Sequence, residues 1–94
     1  MNKRAETNRR GVKAHRMRRL AWLNAIKLDS GCLDCGYDRY PEALDFDHLP
    51  GCEKVSSITK MVSGSSMERL LAEMAKCEIV CANCHRHRTA LRAR

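Results

Sequence analysis

Two Cys-x-x-Cys pairs constrain this chain more than any other feature. Cys32 and Cys35 form the first pair, and Cys81 and Cys84 form the second, close to the end of the sequence. Two residues between a pair of thiolates let one tight turn direct both sulfur atoms at the same ion, and two such turns complete a tetrahedron. The pattern therefore predicts one structural zinc ion, because four protein ligands leave no position for a reactive water. The alternative is four ordinary buried thiols or a redox pair.

The size of the chain also favours a fold stabilised by metal. With 94 residues, of which only four are aromatic, the chain predicts one domain with a small apolar core. A zinc ion that closes the long segment between Cys35 and Cys81 would add folding free energy. Two cysteines remain: we interpret Cys52 as a loop thiol and Cys77 as a small, buried apolar side chain.

The net charge of +7 and the pI of about 9.4 bear on the partners of the chain rather than on its fold. Nucleic acid is the first candidate, because each Lys or Arg that meets a phosphate releases a counterion. An anionic membrane surface is the second candidate, and an acidic protein is the third. No apolar run approaches the roughly 20 residues of a membrane span, and no signal peptide is evident. We therefore expect a cytoplasmic protein, outside the membrane, whose thiols are reduced.

Hydropathy patterns predict the first half of the fold. Apolar residues at mixed helical spacing indicate a helix from about residue 7 or 11 to residue 28, ended by Asp29-Ser30-Gly31. Residues 44–48 alternate between apolar and polar, which predicts a short strand. In that strand Leu44 and Phe46 are expected to face inward and the two aspartates outward.

The second half of the chain predicts three further elements. Residues 55–64 are either irregular or a short helix. Ser65 and Glu68 have the spacing of a capping box, ahead of a helix at about residues 66–76. A short strand at 78–80 leads into the second cysteine pair, and a terminal helix runs from His85 to Arg92.

The end of the first strand and the second cysteine pair together resemble the HNH endonuclease family. Residues 44–48 read LDFDH, and after about 30 residues the chain reads VCANCH at 80–85. The resemblance covers about residues 30–92, and the small Asp-His members from phages are the most similar. It implies a ββα-metal fold, in which two antiparallel strands and a helix hold one divalent ion. Many members also carry a four-cysteine zinc site at the base of that fold.

The resemblance implies roles for individual residues. His48 would be the general base, and Asp47 and His85 would be ligands of a catalytic Mg²⁺ or Mn²⁺. Asn83 would ligate the ion, orient the His48 loop or cap the terminal helix. His87 ranks second to His85 as a metal ligand, because side chains two residues apart on a helix diverge by about 200°. The same residue types suit phosphodiester hydrolysis, which needs a base for water and a cation for the phosphate.

Basic residues at both ends of the chain predict contacts with the DNA backbone. Such contacts position a protein without specifying sequence. The alternative for the N-terminal group is a solvated helix face. The candidates in the N-terminal stretch are Arg9, Arg10, Lys13, Arg16, Arg18 and Arg19. The candidates near the predicted active site are Lys54, Arg86 and Arg88, with Arg92 and Arg94 beyond them.

The sequence thus predicts an α+β protein: a basic arm and helix over residues 1–29, then a small ββα-metal domain with a four-cysteine structural zinc over residues 30–94. We expect a metal-dependent DNA endonuclease. The first alternative is a non-catalytic zinc-ribbon module that binds nucleic acid, and the second is a protein-interaction adaptor. The resemblance to phage members suggests DNA processing or packaging, with phage packaging proteins as partners, in the cytoplasm of the host cell. The target sequence, nicking against double-strand cutting, and the oligomeric state stay open.

Overall fold

The computed structural model describes the backbone of residues 3–94 and the side chains of residues 10–94. It confirms the α+β class, since the described part of the chain contains four α-helices and a two-stranded antiparallel sheet. A 3-10 turn at Pro41–Ala43 precedes the first strand. In chain order the elements are α1 (Lys3–Ser30), β1 (Leu44–His48), α2 (Ile58–Gly64), α3 (Met67–Met74), β2 (Cys77–Cys81) and α4 (Ala82–Arg92).

The predicted elements are present, but several of their ends differ. α1 begins at Lys3 and continues to Ser30, so the helix is longer than predicted at both ends. β2 begins at Cys77 and ends at Cys81 rather than covering residues 78–80 alone. α4 begins at Ala82, three residues before the predicted start. Of the segment 55–64, residues 58–64 form the short helix α2.

A glycine ends α1 as predicted. Gly31 has a φ of 66°, in the left-handed region, and its N–H donates to the carbonyl of Lys27 at 2.8 Å. A Cβ at this position would lie 3.3 Å from Asp38 Cβ and 3.3 Å from the Tyr37 carbonyl oxygen. Gly31 therefore provides both the backbone conformation and the space that let the first cysteine pair fold back beside the helix.

Serine side chains begin the two middle helices. The Ser57 hydroxyl accepts a hydrogen bond from the Lys60 N–H at 3.4 Å at the start of α2. At the start of α3 the Ser66 hydroxyl accepts from the Arg69 N–H at 3.2 Å. The predicted capping box is therefore wrong: the cap is Ser66 rather than Ser65, and the residue three positions later is Arg69, not a Glu or Gln. Ser66 is the residue whose extended backbone leaves its hydroxyl free to reach the first turn.

The register of the sheet places the two cysteine pairs and the Asp-His segment at opposite ends. Leu44 pairs with Cys81 at one end, and His48 pairs with Cys77 at the other. A hydrogen bond from the Leu33 N–H to the Ile79 carbonyl, 2.9 Å, ties the first cysteine turn to the edge of β2. The sheet is therefore the frame on which both predicted sites are mounted.

Two apolar clusters form the core. The first lies between α1, α2 and α3, and its buried members are Leu23, Ile58, Met61, Val62 and Leu70. The second lies beneath the cysteine pairs, and its buried members are Cys32, Leu44, Val80 and Cys81. The cysteine sulfurs are thus continuous with the smaller core, so a metal held there would stabilise a region with little apolar surface of its own.

The second half of α1 belongs to the folded body. Leu23 is buried in the first cluster, with Leu20 and Trp22 packed against it. Nearer the N-terminus, Val12 and Met17 are each 60% exposed. The predicted division at residue 29 therefore separates a helix from a core that it helps to build. No helix in the described part of the chain is long and apolar enough to cross a membrane.

Candidate functional site

The four predicted zinc ligands come together. The Sγ atoms of Cys32, Cys35, Cys81 and Cys84 all lie within 4.8 Å of one another. The Cys35 and Cys81 sulfurs are 3.7 Å apart. Tetrahedral zinc with Zn–S bonds of about 2.3 Å requires sulfur–sulfur distances of about 3.8 Å. The sulfur positions therefore fit one metal ion. An ion that binds four thiolates in a tetrahedron, such as zinc, suits them best.

The backbone of each cysteine turn is arranged to stabilise thiolates. The Cys35 N–H donates to the Cys32 sulfur, and the Cys84 N–H donates to the Cys81 sulfur, both at 3.4 Å. Burial raises the pKa of Cys32, but backbone N–H groups outweigh it and lower that pKa to about 6. Contact with the Cys81 sulfur raises the pKa of Cys84 to about 12. Four thiolates this close need a cation to ionise together, which agrees with a metal site.

A cleft of about 350 Å³ lies beside β1. It is bounded by the end of α1, the start of α2 and the start of α4. Three residues predicted to act on a phosphodiester, His48, His85 and Lys54, meet in its wall. The full lining is Lys27, Asp45, Phe46, His48, Lys54, Ser57, Ile58, Thr59 and His85. The cleft therefore combines two imidazoles, a carboxylate, two ammonium groups and two hydroxyls, which is a polar composition suited to an anionic ligand.

His48 is held by a buried carboxylate. Its Nε2 lies 2.8 Å from Oε2 of Glu73, whose side chain is 3% exposed. The same carboxylate accepts hydrogen bonds from the Val55 N–H at 3.1 Å and from the Lys76 ammonium at 2.8 Å. These donors lower the pKa of Glu73 to about 2, with the Lys76 hydrogen bond as the largest cause. Glu73 is therefore an anion at neutral pH.

The solvent exposure predicted for Asp47 is wrong. Its side chain is 3% exposed, because α4 lays two guanidinium groups, one helical turn apart, across this part of β1. Arg92 donates to both carboxylate oxygens, at 2.9 and 2.8 Å, and Arg88 donates to Oδ2 at 3.0 Å. Burial raises the pKa of Asp47, but the two arginines outweigh it and lower that pKa.

His85 lies between two carboxylates. Its Nδ1 is 3.0 Å from Oδ2 of Asp45, and its Nε2 is 3.4 Å from Oδ1 of Asp47. The side chain of Asp45 is 41% exposed and lines the cleft, unlike that of Asp47. Sequence reasoning treated Asp45 as an ordinary outward strand residue, although its position two residues before Asp47 places both carboxylates on one face of β1.

Carboxylates also lie around the two arginines of α4. Three carboxylates, those of Asp34, Asp47 and Glu78, pair with the guanidiniums of Arg88 and Arg92. Ligands of an octahedral ion with bonds of about 2.1 Å lie about 3 Å apart, which is near the separation of Asp47 Oδ1 and His85 Nε2. An ion between these two atoms would have at most two ligands from the protein and would take water in its other positions. Among the described residues, only the cysteines bring three such ligand atoms together.

Two predicted site residues lie outside the cleft. Asn83 is exposed in a separate depression with Tyr37 and Ala43, on the side of the cysteine pairs. His87 is exposed and does not line the cleft, as the helical angle between it and His85 requires. The structure therefore supports neither residue as part of a site with His48.

Several predicted phosphate contacts are instead engaged within the fold. Arg88 is one of them, since its guanidinium binds Asp34 at 2.6 Å as well as Asp47 and Glu78. Arg19 donates to the Val62 and Ser65 carbonyls at the end of α2, and Arg16 donates to the Ser63 hydroxyl at 2.9 Å. The side chain of Arg9 lies outside the described residues. The predicted contacts that are exposed are Arg10, Lys13, Arg16, Arg18, Lys54, Arg86, Arg92 and Arg94, although Arg16 and Arg92 also bond to other residues of the fold.

Sequence reasoning missed several residues of the cleft and the carboxylate that holds His48, and of these only the carboxylate, Glu73, left a signal. Glu73 lies on the apolar face of α3, three residues after the buried Leu70, where a charged residue requires a buried partner. Lys27, Ser57 and Thr59 left none, because each is an ordinary polar residue in its own segment. They are brought to the cleft by the packing of α1 against α2.

Comparisons with protein-family models, curated proteins and solved structures gave no match.

Proposed function

We propose that this protein is a metal-dependent DNA endonuclease that hydrolyses phosphodiester bonds at the cleft. The observation that carries the proposal is the convergence of His48, His85 and Asp45 in one cleft with Lys27 and Lys54. Such a hydrolysis needs a base, a site for a cation and ammonium groups that bind the phosphate. The resemblance of the DFDH and CANCH segments to HNH endonucleases supports the same reaction.

In this scheme His48 activates water. Its Nε2 is occupied by Glu73, so Nδ1 accepts the proton from a water in the cleft. The water oxygen forms a bond to phosphorus while the bond from phosphorus to the 3′ oxygen breaks, and the leaving oxygen takes a proton from solvent. Lys27 and Lys54 hold the phosphate and offset its charge. The resemblance implies 5′-phosphate and 3′-hydroxyl products.

Asp47 and His85 would hold a divalent ion such as Mg²⁺ or Mn²⁺, with Asp45 as a second carboxylate beside them. When bound, the ion supplies neutralisation of the charge that develops on the phosphate and the leaving oxygen. Oδ2 of Asp47 accepts from both arginines, whereas Oδ1 accepts from Arg92 alone and lies nearest His85. Oδ1 is therefore the oxygen with a lone pair available for the ion.

The four-cysteine cluster would hold zinc in a purely structural role. It lies at the opposite end of β1 from His48, and all four positions of a tetrahedral ion would be taken by sulfur. DNA would contact the exposed basic face of α1 as well as the cleft. Arg10, Lys13 and Arg18 are exposed along that helix.

The decisive test is cleavage of a supercoiled plasmid by the purified protein, with Mg²⁺, with Mn²⁺ and with EDTA. His48→Ala should lose most activity, because a positioned general base contributes ~10²–10⁴-fold. His15→Ala is the matched control: the same substitution in α1, outside the cleft. The proposal fails if the parent protein does not cut with either ion, or if His48→Ala cuts as fast as the parent.

One observation favours the non-catalytic alternative, a zinc-ribbon module that binds nucleic acid. The contacts of Asp47 with Arg88 and Arg92 give that carboxylate a structural purpose without any ion. Such a module would bind DNA with the same salt dependence but leave the plasmid intact. The cleavage assay therefore separates the two functions.

A further inference from the structure

The buried carboxylate of Glu73 lies behind His48, on the side away from the cleft. Its Oε2 accepts from His48 Nε2 at 2.8 Å and from the Val55 N–H at 3.1 Å. Its Oε1 accepts from Lys76 Nζ at 2.8 Å. Both oxygens are therefore engaged, and the carboxylate is fixed from three directions by groups on the loop before α2, the end of α3 and β1.

The ionisation of Glu73 determines which nitrogen of His48 carries the hydrogen. The pKa of Glu73 is lowered to about 2, most of all by the hydrogen bond from Lys76. An ionised carboxylate can only accept hydrogen bonds, so His48 Nε2 must be the donor. In the neutral ring Nδ1 then has the free lone pair, and His48 lines the cleft.

We propose that Glu73 is a positioning residue that holds His48 in its Nε2–H tautomer, and that Lys76 in turn fixes Glu73. This role rests on the proposed nuclease function, because it matters for catalysis only if His48 is the base. Lys76 also donates to the Glu53 carbonyl at 2.8 Å, which anchors the ammonium group to the loop before α2. Lys76, Glu73 and His48 thus form one hydrogen-bonded chain that ends at the cleft.

Glu73→Gln is an informative substitution because neither orientation of the amide reproduces the contacts. With the amide oxygen toward His48, the NH₂ group meets the Lys76 ammonium, so two donors face each other. With the oxygen toward Lys76, the NH₂ group meets His48 Nε2 and the Val55 N–H, which forces Nε2 to become an acceptor. Adding Lys76→Met removes the opposing ammonium and lets the introduced amide keep its oxygen on His48.

The test combines the tautomer with kinetics. Long-range ¹H–¹⁵N spectra of the parent at mildly alkaline pH should show the hydrogen of His48 on Nε2. Glu73→Gln should lower kcat by ~10–10²-fold, within what a positioned general base supplies, with KM little changed. Glu73→Gln with Lys76→Met should restore the Nε2–H tautomer and recover part of kcat. Glu68→Gln, on the exposed part of α3, is the matched control and should match the parent.

The outcomes separate this role from the proposed function. A parent that cleaves DNA while His48 carries its hydrogen on Nδ1 would overturn the positioning role alone, and this measurement needs no folded variant. A Glu73→Gln variant that cleaves at the parent rate would also overturn the positioning role. A parent that cuts no DNA would overturn the proposed function and the catalytic role of Glu73 together. The spectra would even then establish whether Glu73 fixes the tautomer.

Discussion

Replacing Asp47 with asparagine should destabilise the protein far more than the same change at Asp45. Asp47 is 3% exposed and accepts three hydrogen bonds from guanidinium groups. A hydrogen bond to a charged group contributes about 1.5–3 kcal/mol, and removing one partner of a buried ion pair costs about 3–5 kcal/mol. Asparagine keeps one acceptor oxygen, and Arg88 keeps Asp34 and Glu78. We therefore expect a smaller loss, about 2–3 kcal/mol.

The lower end of that range reflects Arg92, whose side chain is 34% exposed. Water can form some of the hydrogen bonds that this guanidinium loses when the carboxylate is removed. Asp45→Asn is the matched control. Its carboxylate is 41% exposed and contacts His85 alone among the ion pairs found, so the change should cost less than about 1 kcal/mol. For a domain of this size, about 2–3 kcal/mol corresponds to a fall in Tm of about 8–24 °C.

Urea unfolding at neutral pH, followed by circular dichroism with zinc present in all samples, measures the difference. Constant zinc is required, because metal binding contributes to the free energy of unfolding. Equal losses for Asp47→Asn and Asp45→Asn would refute the reasoning, since they would mean that the contacts of Arg88 and Arg92 with Asp47 add nothing to stability. Unchanged slopes of the transitions would show that the unfolded states are comparable.

Three further predictions address the metal, the DNA surface and pH. Purified protein should contain about one zinc per chain by atomic emission. The Cys81→Ser variant should unfold, whereas Cys52→Ser, at an exposed cysteine, should stay folded. A parent protein that is folded without zinc would contradict this prediction. Changing Arg10, Lys13 and Arg18 together to Gln should reduce the steepness with which the logarithm of the DNA association constant falls with the logarithm of salt concentration, by up to about 3. Fluorescence anisotropy on duplex DNA measures this slope. An unchanged slope would mean that DNA binds elsewhere on the protein. Stability should fall as pH drops below about 4.5 toward 2, because the pKa values of Glu73 and Asp47 are lower in the folded than in the unfolded chain, and Glu73→Gln should flatten that fall in acid unfolding curves.

The elements and the cysteine cluster could be predicted because their signals are local. A Cys-x-x-Cys turn requires only its own residues to direct two sulfurs at one point, and the pairing of the two turns follows once a shared ion is assumed. Alternation marked β1, and apolar spacing marked α3. The start of α1 was missed, because the residues before Gly11 have few apolar positions from which a helical period can be read.

The burial of Asp47 could not be predicted from its own segment. Alternation in β1 gives the correct face for each residue, but which face is covered depends on where α4 lies. Arg88 and Arg92 bury Asp47 and pair with its charge, whereas Asp45 on the same face stays 41% exposed. The alternating pattern of a strand therefore shows which residues share a face. It does not show whether solvent or another element of the fold covers that face.

The sheet register explains how the four-cysteine cluster and the proposed catalytic cleft can share two short strands. Leu44 opposite Cys81 fixes the cysteine end, and a slip by one residue would turn every side chain of β1 to the other face. Such a slip would remove Asp47 from Arg88 and His48 from Glu73 at once. A metal on the four cysteines, joined to β2 directly and to β1 through this pairing, would hold that register. In the proposed nuclease, a zinc ion on the cysteines would therefore help to fix the position of His48 relative to Glu73, although it lies at the far end of the strand.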